Sequence, residues 1–179
     1  MTAPLITIAV LDKSAFARSV DRLAEILIAC VREGASVGFV LPFGMDQARA
    51  WWRNSVGPAH AGGSRVVLTA TLGDEIAGTA QLDLDSMPSK RHHAEVSKVL
   101  VDPKRRRTGI ARALVAEIER RAVGEGRWLL TLDTAGDAAE ALYRSLGYEL
   151  AGVIPSYARH AFEERYDATR IMYKNLRGA

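Results

Sequence analysis

The sequence predicts an α/β fold in which helices flank a mixed, mostly antiparallel sheet. Two observations predict it. Short apolar runs rich in Val, Ile, Leu and Thr alternate with longer segments whose apolar side chains recur at helical spacing. A helical segment at 109–124 also joins two strand-like runs, 94–101 and 127–134, and such a crossover favours parallel pairing. The 179 residues are enough for one domain with a substantial core, so we expect a single domain over 1–179.

The N-terminal part of the chain is predicted to contain one strand and two helices. The run "LITIAVL" (5–11) is typical of a strand. Residues 14–33 carry apolar side chains three or four positions apart, which predicts an amphipathic helix that ends at Gly34. Asp46 is a candidate N-cap for a short helix that carries two adjacent tryptophans.

The rest of the chain alternates between strands and helices. Strands are predicted at 65–72, 76–85, 94–101, 127–134, 148–154 and 169–176, and helices at 109–124 and 136–146. Residues 73–75 give a tight hairpin turn, and the polar, aromatic segment 155–168 is predicted as a loop. The order β-α-α-β-β-β-α-β-α-β-β differs from a doubly wound nucleotide-binding sheet, in which βα units simply alternate.

Composition and charge exclude several classes of protein. The 24 basic and 21 acidic residues give a net charge of +3, too small an excess to indicate nucleic-acid binding by itself. No run approaches the ~20 apolar residues that span a bilayer, and the N-terminus lacks the basic start of a signal peptide, so we expect a cytoplasmic protein. Cys30 is the only cysteine, which excludes an internal disulfide. The adjacent His92 and His93 lack metal-ligand spacing, so no metal is expected.

The stretch "VDPKRRRTGIARALV" (101–115) is the strongest functional motif. Its basic run, Lys104–Arg107, lies on a strand-to-helix loop, and Gly109 stands where the helix begins. A helix N-terminus presents unpaired N–H groups, glycine lets a ligand approach the backbone, and arginines add charge-assisted contacts, so the motif suits a phosphate. A solvated basic loop would share this pattern. A nucleic-acid patch is disfavoured, because interleaved aromatic residues and a second basic stripe are lacking.

The pattern Arg106-Arg107-Thr108-Gly109-Ile110-Ala111 resembles the pyrophosphate loop, (Gln/Arg)-x-x-Gly-x-(Gly/Ala), of the GNAT N-acetyltransferase superfamily. It follows "KVLVDP", which is similar to the splayed fourth strand of that superfamily, and it precedes "AAEALYRSLGYELAG", which resembles its second signature. These similarities cover residues 65–176. The segments "EGASVGFVLPFGMDQARAWW" (33–52), "AEVSKVLV" and "LLTLDT" resemble the tabtoxin-resistance type of acetyltransferase more closely.

The resemblance implies a GNAT fold whose sheet splays between the fourth and fifth strands, with acetyl-CoA bound in the gap as cosubstrate. The main chain of Val99, Leu100 and Val101 would pair with the pantetheine arm, and a bulge there would free an amide for the thioester carbonyl. The diphosphate would lie on a loop that consists of Arg106, Arg107, Thr108, Gly109, Ile110 and Ala111, with Arg144 as a further phosphate contact. Many members carry a cofactor-binding asparagine where this chain has Gly136, so that contact is in question here.

The resemblance also implies the catalytic residues. Tyr143 matches the family tyrosine that protonates the departing thiolate. The acceptor ammonium, with a pKa near ~10.4, must lose a proton, and Glu95 and Asp133 are candidates to take it or to hold the ammonium, with a water relay as an alternative. Both are also candidate substrate-binding residues, together with Trp52 and Tyr157 on the cleft wall.

The sequence therefore predicts an N-acetyltransferase that moves the acetyl group of acetyl-CoA directly to a primary amine. The resemblance implies a small metabolite or an amino-acid-like antimetabolite as acceptor, with neither nucleic acid nor membrane as partner. Cys30 lies on the first helix, away from the phosphate loop, and should carry no acyl group. A peptide or protein N-acetyltransferase and a GNAT domain that binds acyl-CoA without catalysis remain as alternatives. Superfamily members often form homodimers, but the sequence does not show which surface would pair.

Overall fold

The computed structural model describes residues 5–177. Seven strands form one sheet in the order β1-β2-β3-β4-β5-β7-β6. The strands are β1 (Ile6–Val10), β2 (Arg65–Leu72), β3 (Glu75–Asp83), β4 (His93–Val101), β5 (Leu129–Thr134), β6 (Glu149–Arg159) and β7 (Tyr166–Asn175). The helices are α1 (Lys13–Arg32), α2 (Met45–Trp51), α3 (Gly57–Ala61), α4 (Ile110–Gly124) and α5 (Asp137–Ser145), and a π-helical turn (Trp52–Val56) joins α2 to α3.

The sheet separates between β4 and β5. These two strands are parallel, whereas all the other neighbouring strands are antiparallel. They pair only where His93 to Glu95 faces Leu129 to Thr131, although both strands continue beyond that point. A crossover through α4 and a split sheet are therefore both present, as the sequence predicted.

Helices cover both faces of the sheet because the strands bury alternate side chains on opposite sides. On β2, Leu68 packs into a core with Leu114 and Ile118 of α4. Its neighbour Val67 packs into a second core with α1, where Leu23 is fully buried. Both faces of the sheet are therefore covered by helices, and the candidate site is to be sought where β4 and β5 separate.

Two local predictions from the sequence were wrong. Gly44, not Asp46, is the N-cap of α2; Asp46 lies in the first turn, where its negative charge suits the positive end of the helix dipole. The segment 155–168 is mostly strand, because β6 continues to Arg159 and β7 begins at Tyr166. The first part of β6 was predicted as the strand at 148–154, but its continuation is an exposed edge strand that tolerates polar residues and shows no hydrophobic alternation.

Candidate active site

The loop between β4 and α4 is fixed by its own side chains. Asp102 accepts hydrogen bonds from the Lys104 amide at 3.0 Å and from Arg22 Nη2 at 2.6 Å. Burial favours the neutral carboxyl of Asp102, but these two donors outweigh it and lower its pKa. Thr108 Oγ1 donates to the Arg105 carbonyl at 2.7 Å. The loop is thus held in one shape without a ligand.

Gly109 is the N-cap of α4 and adopts a left-handed φ of +91°. Within the described part of the chain, the atom nearest to the position of an added Cβ is the end of the Ile6 side chain, at 3.8 Å. A larger residue would therefore be strained by its backbone rather than by crowding. The first amides of α4 beside this glycine have no side-chain cap, so they are available to an anion.

A cavity of about 480 Å³ lies between this loop and α5. Six of the predicted cofactor-binding residues line it, namely Val101, Arg106, Arg107, Gly109, Ile110 and Ala111. Thr108 does not line it, and Arg144 instead pairs with Glu140 at 2.7 Å. Arg112, which the sequence analysis did not single out, lines the cavity and donates to Ser145 Oγ at 2.7 Å.

The edge of β4 that faces the gap carries a bulge. Leu100 pairs with Thr79 and Ser97 with Gln81, so Lys98 and Val99 together oppose the single residue Ala80 of β3. Lys98 has a left-handed φ of +49°. A bulge of this kind disrupts the ladder locally and leaves a residue unpaired. It lies immediately before the predicted pantetheine-binding segment, so the geometry fits a thioester held along β4.

A second cavity, of about 270 Å³, lies at the fork between β4 and β5. Its wall combines residues 96–99 of β4, Asp133 at the end of β5, Tyr143 of α5 and Tyr157 of β6. Residues 36–38, which precede α2, close another side. Three of the predicted catalytic or substrate-binding residues therefore meet here. We refer to this space as the acceptor cavity.

Tyr143 is suited to donate a proton in the acceptor cavity. The residue is only 7% exposed. Burial, and secondarily the charge of Asp133, raise the pKa of its phenol well above the ordinary value for tyrosine. The phenol therefore keeps its proton at neutral pH, as a general acid must. Its ring also packs edge-to-face against Tyr148, with the centroids 5.5 Å apart, which orients it.

Glu95 and Asp133 occupy different positions at the fork. Glu95 faces Asp83 of β3 and Thr131 of β5 in register. Burial, followed by the charges of Asp133 and Asp83, raises the pKa of the Glu95 carboxyl. Asp133 lines the acceptor cavity, whereas Glu95 precedes the lining residues on β4.

Asp133 is held by β7 rather than by a helix end. The Thr169 hydroxyl lies 3.2 Å from Asp133 Oδ2 and also 3.2 Å from the Thr134 carbonyl, so these two acceptors share its one proton. Asp133 does not cap α5, whose N-cap is Gly136. Thr169 is buried, so it can orient the carboxylate. This contact could not be predicted from local pattern, because the two residues belong to strands that are far apart along the chain.

The prediction that Trp52 lies on the cleft wall was wrong. Trp52 is 0% exposed in the core beneath α1, so it cannot contact a solute in the acceptor cavity. Trp51 is half-buried, and Lys98 Nζ lies 5.7 Å from the centroid of its ring. Tyr157 does line the cavity and is 53% exposed.

Lys98 is the charged residue of the acceptor cavity that the sequence analysis missed. A lysine inside the otherwise apolar run "VSKVLV" was the available signal. Burial lowers the pKa of its ammonium, while the charges of Asp133 and Glu95 act in the opposite direction. The cavity thus holds a cation as well as a carboxylate.

Comparison with known proteins decides the family. The chain matches the family model "Acetyltransferase (GNAT) family" over residues 20–148. The chain belongs to the GNAT acetyltransferase family. It is accordingly an acetyl-CoA-dependent acyltransferase, and the loop, bulge and cavity described above fit the diphosphate, pantetheine arm and thioester of that cosubstrate.

Solved structures share the fold over nearly the whole chain. The Salmonella typhimurium protein yncA, described as a candidate acetyltransferase with acetyl-CoA as its cofactor, is 21% identical with a TM-score of 0.75, covering 98% of this chain and 96% of its own. A ribosomal-protein-alanine N-acetyltransferase from Brucella melitensis is 24% identical with a TM-score of 0.72, covering 95% and 99%. A candidate phosphinothricin N-acetyltransferase is 18% identical with a TM-score of 0.75, covering 96% and 99%.

Two further features are absent from residues 5–177. No group of three or more His, Cys, Asp or Glu side chains in this range is arranged to hold a metal ion. No helix in it is both long and apolar enough to cross a bilayer.

Proposed function

We propose that this enzyme transfers the acetyl group of acetyl-CoA directly to the primary amine of a small metabolite or an amino-acid-like antimetabolite, as a toxin-resistance enzyme does. One observation carries the proposal: the acceptor cavity combines a buried phenol, a carboxylate and the bulged strand β4 in about 270 Å³. A proton donor, an ammonium partner and a thioester-binding edge thus surround one small space. We also propose a cytoplasmic location and a single domain over the whole chain.

The cosubstrate would be held by main chain along β4 and by charge at the loop. The amides and carbonyls of 99–101 would pair with the pantetheine arm, which leaves the side chains of Val99 and Val101 in the core. The diphosphate would accept hydrogen bonds from the amides of 108–111 and charge-assisted hydrogen bonds from the guanidinium groups of Arg106 and Arg107. Thr108 would contribute its backbone only, because its hydroxyl already bonds the Arg105 carbonyl.

Acyl transfer to an ammonium requires proton movements at nitrogen and at sulfur, and the site has a group for each. Glu95 would first take one proton from the ammonium, directly or through one water, which frees the nitrogen lone pair and leads to release of that proton to solvent. As the nitrogen bonds to the acetyl carbon, the bond from carbon to sulfur breaks, and the Tyr143 phenol supplies a proton to the departing thiolate. The nitrogen then loses its second proton, which restores the Tyr143 phenol, so that one proton is released overall.

Glu95 suits the role of proton acceptor better than Asp133 does. Its raised pKa brings it closer to neutral pH, where a general base is most effective. Asp133 accepts the Thr169 hydrogen bond and lines the cavity, so it suits the role of holding the incoming ammonium. The two carboxylates would then bind and deprotonate the same amine in turn.

A protein N-terminus is the second candidate acceptor. The Brucella melitensis structure is named as a ribosomal-protein-alanine N-acetyltransferase, whereas the phosphinothricin N-acetyltransferase is named for a small acceptor. The volume of the acceptor cavity, about 270 Å³, favours the small one, because it lies just below the ~300–1,000 Å³ typical of ligand pockets.

An acceptor screen tests the proposal. Acetyl-CoA is mixed with the enzyme and with amino acids, amino-acid-like toxins, simple amines or short peptides, and release of the CoA thiol is followed by a colorimetric thiol reagent. We expect thiol release with members of the amino-acid panel, and loss of that release in Tyr143→Phe. Release with peptides alone would favour the protein acceptor, and CoA binding without release for any amine would indicate a non-catalytic domain.

A further inference from the structure

The position of Lys98 is unusual for a strand residue. In the bulge of β4, Lys98 and Val99 together lie opposite a single residue of β3. Lys98 has a left-handed φ of +49°. Backbone of this kind is rare for a lysine, and strained residues cluster at ligand-binding sites. Lys98 lines the acceptor cavity, together with Asp133 and Tyr143.

The Lys98 ammonium has no anionic partner among residues 5–177. Its recorded interaction is with the ring of Trp51, whose centroid lies 5.7 Å away. Lys174, by contrast, is also largely buried and binds Glu119 Oε2 at 2.7 Å. An unpaired, half-buried ammonium is costly, and buried charges in folded proteins are normally paired. Its retention at the wall of a cavity points to a partner that arrives with the ligand.

The charges around Lys98 define what that partner must be. Burial lowers the pKa of Lys98, so an anion placed beside it would offset the lost hydration. Arg65 cannot serve the same anion, because Asp83 already pairs with it. Asp133 also lines the cavity, and Glu95 lies next to it at the fork, where the charges of both carboxylates act on Lys98. Among residues 5–177, the cavity wall thus presents one ammonium without an ion-pair partner and one carboxylate to a small ligand, with a second carboxylate nearby.

We infer that the acceptor is a zwitterion whose anionic group binds the Lys98 ammonium while its amine is held by Asp133 and Glu95. This inference rests on the proposed function and makes it more specific. The anionic group is a compact one, either a carboxylate or a phosphoryl-type oxyanion. Lys98 determines specificity rather than supporting the cosubstrate, because it lies outside the cavity that the phosphate loop lines.

Matched pairs of substrates test the inference. Each amino acid or phosphonate-bearing amine that the acceptor screen identifies is compared with the same molecule carrying a neutral carboxamide or ester in place of the anion. In the wild-type enzyme we expect kcat/KM to be at least about tenfold higher for the anionic member, because a charge-assisted contact is stronger than a neutral one. Carboxylate and phosphonate pairs, run separately, show which anion is preferred.

Three variants separate binding of an anion from other roles of Lys98. Lys98→Met should remove the preference, mainly by raising KM for the anionic member, and should leave the neutral member unchanged. Lys98→Arg should keep most of the preference for the anionic member. If Lys98 instead accepted a proton, activity would fall in both Lys98→Met and Lys98→Arg. Asparagine tolerates a left-handed backbone, so Lys98→Asn also removes the charge but adds no backbone strain. Lys13→Met, at an exposed lysine on α1, is the matched control.

The outcomes distinguish the inference from the function on which it depends. Equal kcat/KM for anionic and neutral members in the wild type, or equal losses for both in Lys98→Met and Lys98→Asn, would overturn the inference and leave acetyl transfer intact. Absence of amine-dependent thiol release with every member of the panel would overturn both. Titration of each variant with CoA in a calorimeter checks that the cosubstrate still binds. A preference for the anionic member that persists in Lys98→Met with normal CoA binding would also contradict the role of Lys98.

Discussion

Glu95 of β4 and Thr131 of β5 face each other in register as the last pair before these parallel strands separate. Beyond this pair β4 bulges at Lys98, and β5 ends within a few residues at Asp133 and Thr134. The acceptor cavity occupies the space that further pairing would have closed. The site is therefore a consequence of unfinished strand pairing, and a ligand that runs along β4 would satisfy main-chain groups left free there.

Removing the phenol of Tyr143 tests its role as proton donor. In Tyr143→Phe we expect kcat to fall about a hundredfold, in the range of general acid catalysis, with little change in CoA affinity, because the ring and its packing remain. Steady-state kinetics and calorimetric CoA titration measure the two quantities. Unchanged turnover, with the fold intact by thermal denaturation, would remove Tyr143 from the mechanism.

The pH dependence of kcat/KM tests the two carboxylates. As a base, Glu95 acts in its ionised form, so activity should rise with pH through its pKa, which lies above the ordinary glutamate value. Because the charge of Asp133 contributes to that increase, Asp133→Asn should move the acidic limb to lower pH, and Glu95→Gln should abolish the limb. Asp74→Asn, at the exposed tip of the β2–β3 hairpin, should leave it in place. A limb that survives in Glu95→Gln would assign the base to another group.

The hydrogen bond from Thr169 to Asp133 should affect acceptor binding alone. Thr169→Val keeps the shape of a buried side chain and removes the donor. We expect KM for the amine to rise roughly fivefold, which corresponds to ~1 kcal/mol for one hydrogen bond, with kcat and CoA affinity nearly unchanged. Thr71→Val on the far side of the sheet is the control. A fall in kcat with constant KM would mean that Thr169 acts on the chemical step.

Cys30 should be dispensable for transfer. The expectation that Cys30 lies away from the phosphate loop was wrong, because its Sγ is 3.4 Å from the Val101 carbonyl and the charge of Arg106 acts on its thiol. The thiol is nevertheless buried on α1, and a serine hydroxyl could also donate to the Val101 carbonyl. Cys30→Ser should therefore retain most of the turnover, measured by thiol release at saturating acetyl-CoA. A large loss of turnover in a variant that still folds and binds CoA would argue against direct transfer and for a covalent acyl-cysteine step.

The sequence was sufficient to predict the main elements and the position of the loop before α4; phosphate binding by that loop stays a prediction. The apolar spacing after Gly109 specified α4, and the crossover through α4 specified parallel pairing of β4 with β5. These features depend on local pattern, which a single chain displays directly.

The lining of the acceptor cavity depends on events that a pattern does not show. Val96 and Leu100 are four residues apart, yet they pack into opposite cores, because the bulge between them changes the phase of β4. A prediction based on strict alternation of side chains along β4 would therefore place the Lys98 side chain on the wrong face of the sheet. Trp51 and Trp52 stand where α2 passes into a π-helical turn, and this change of helical phase decides which indole is buried.

Binding of CoA to Gly109→Glu, measured by calorimetry, tests the central claim most directly. A glutamate at φ +91° would strain the first turn of α4 and place a negative charge where the diphosphate binds. Gly63→Glu, at another left-handed glycine with open space around it, is the control for backbone strain. The account predicts that CoA affinity falls at least about tenfold in Gly109→Glu alone, while turnover of a short acetyl thioester that lacks the diphosphate is retained. CoA binding in Gly109→Glu equal to that of the unchanged protein would contradict it.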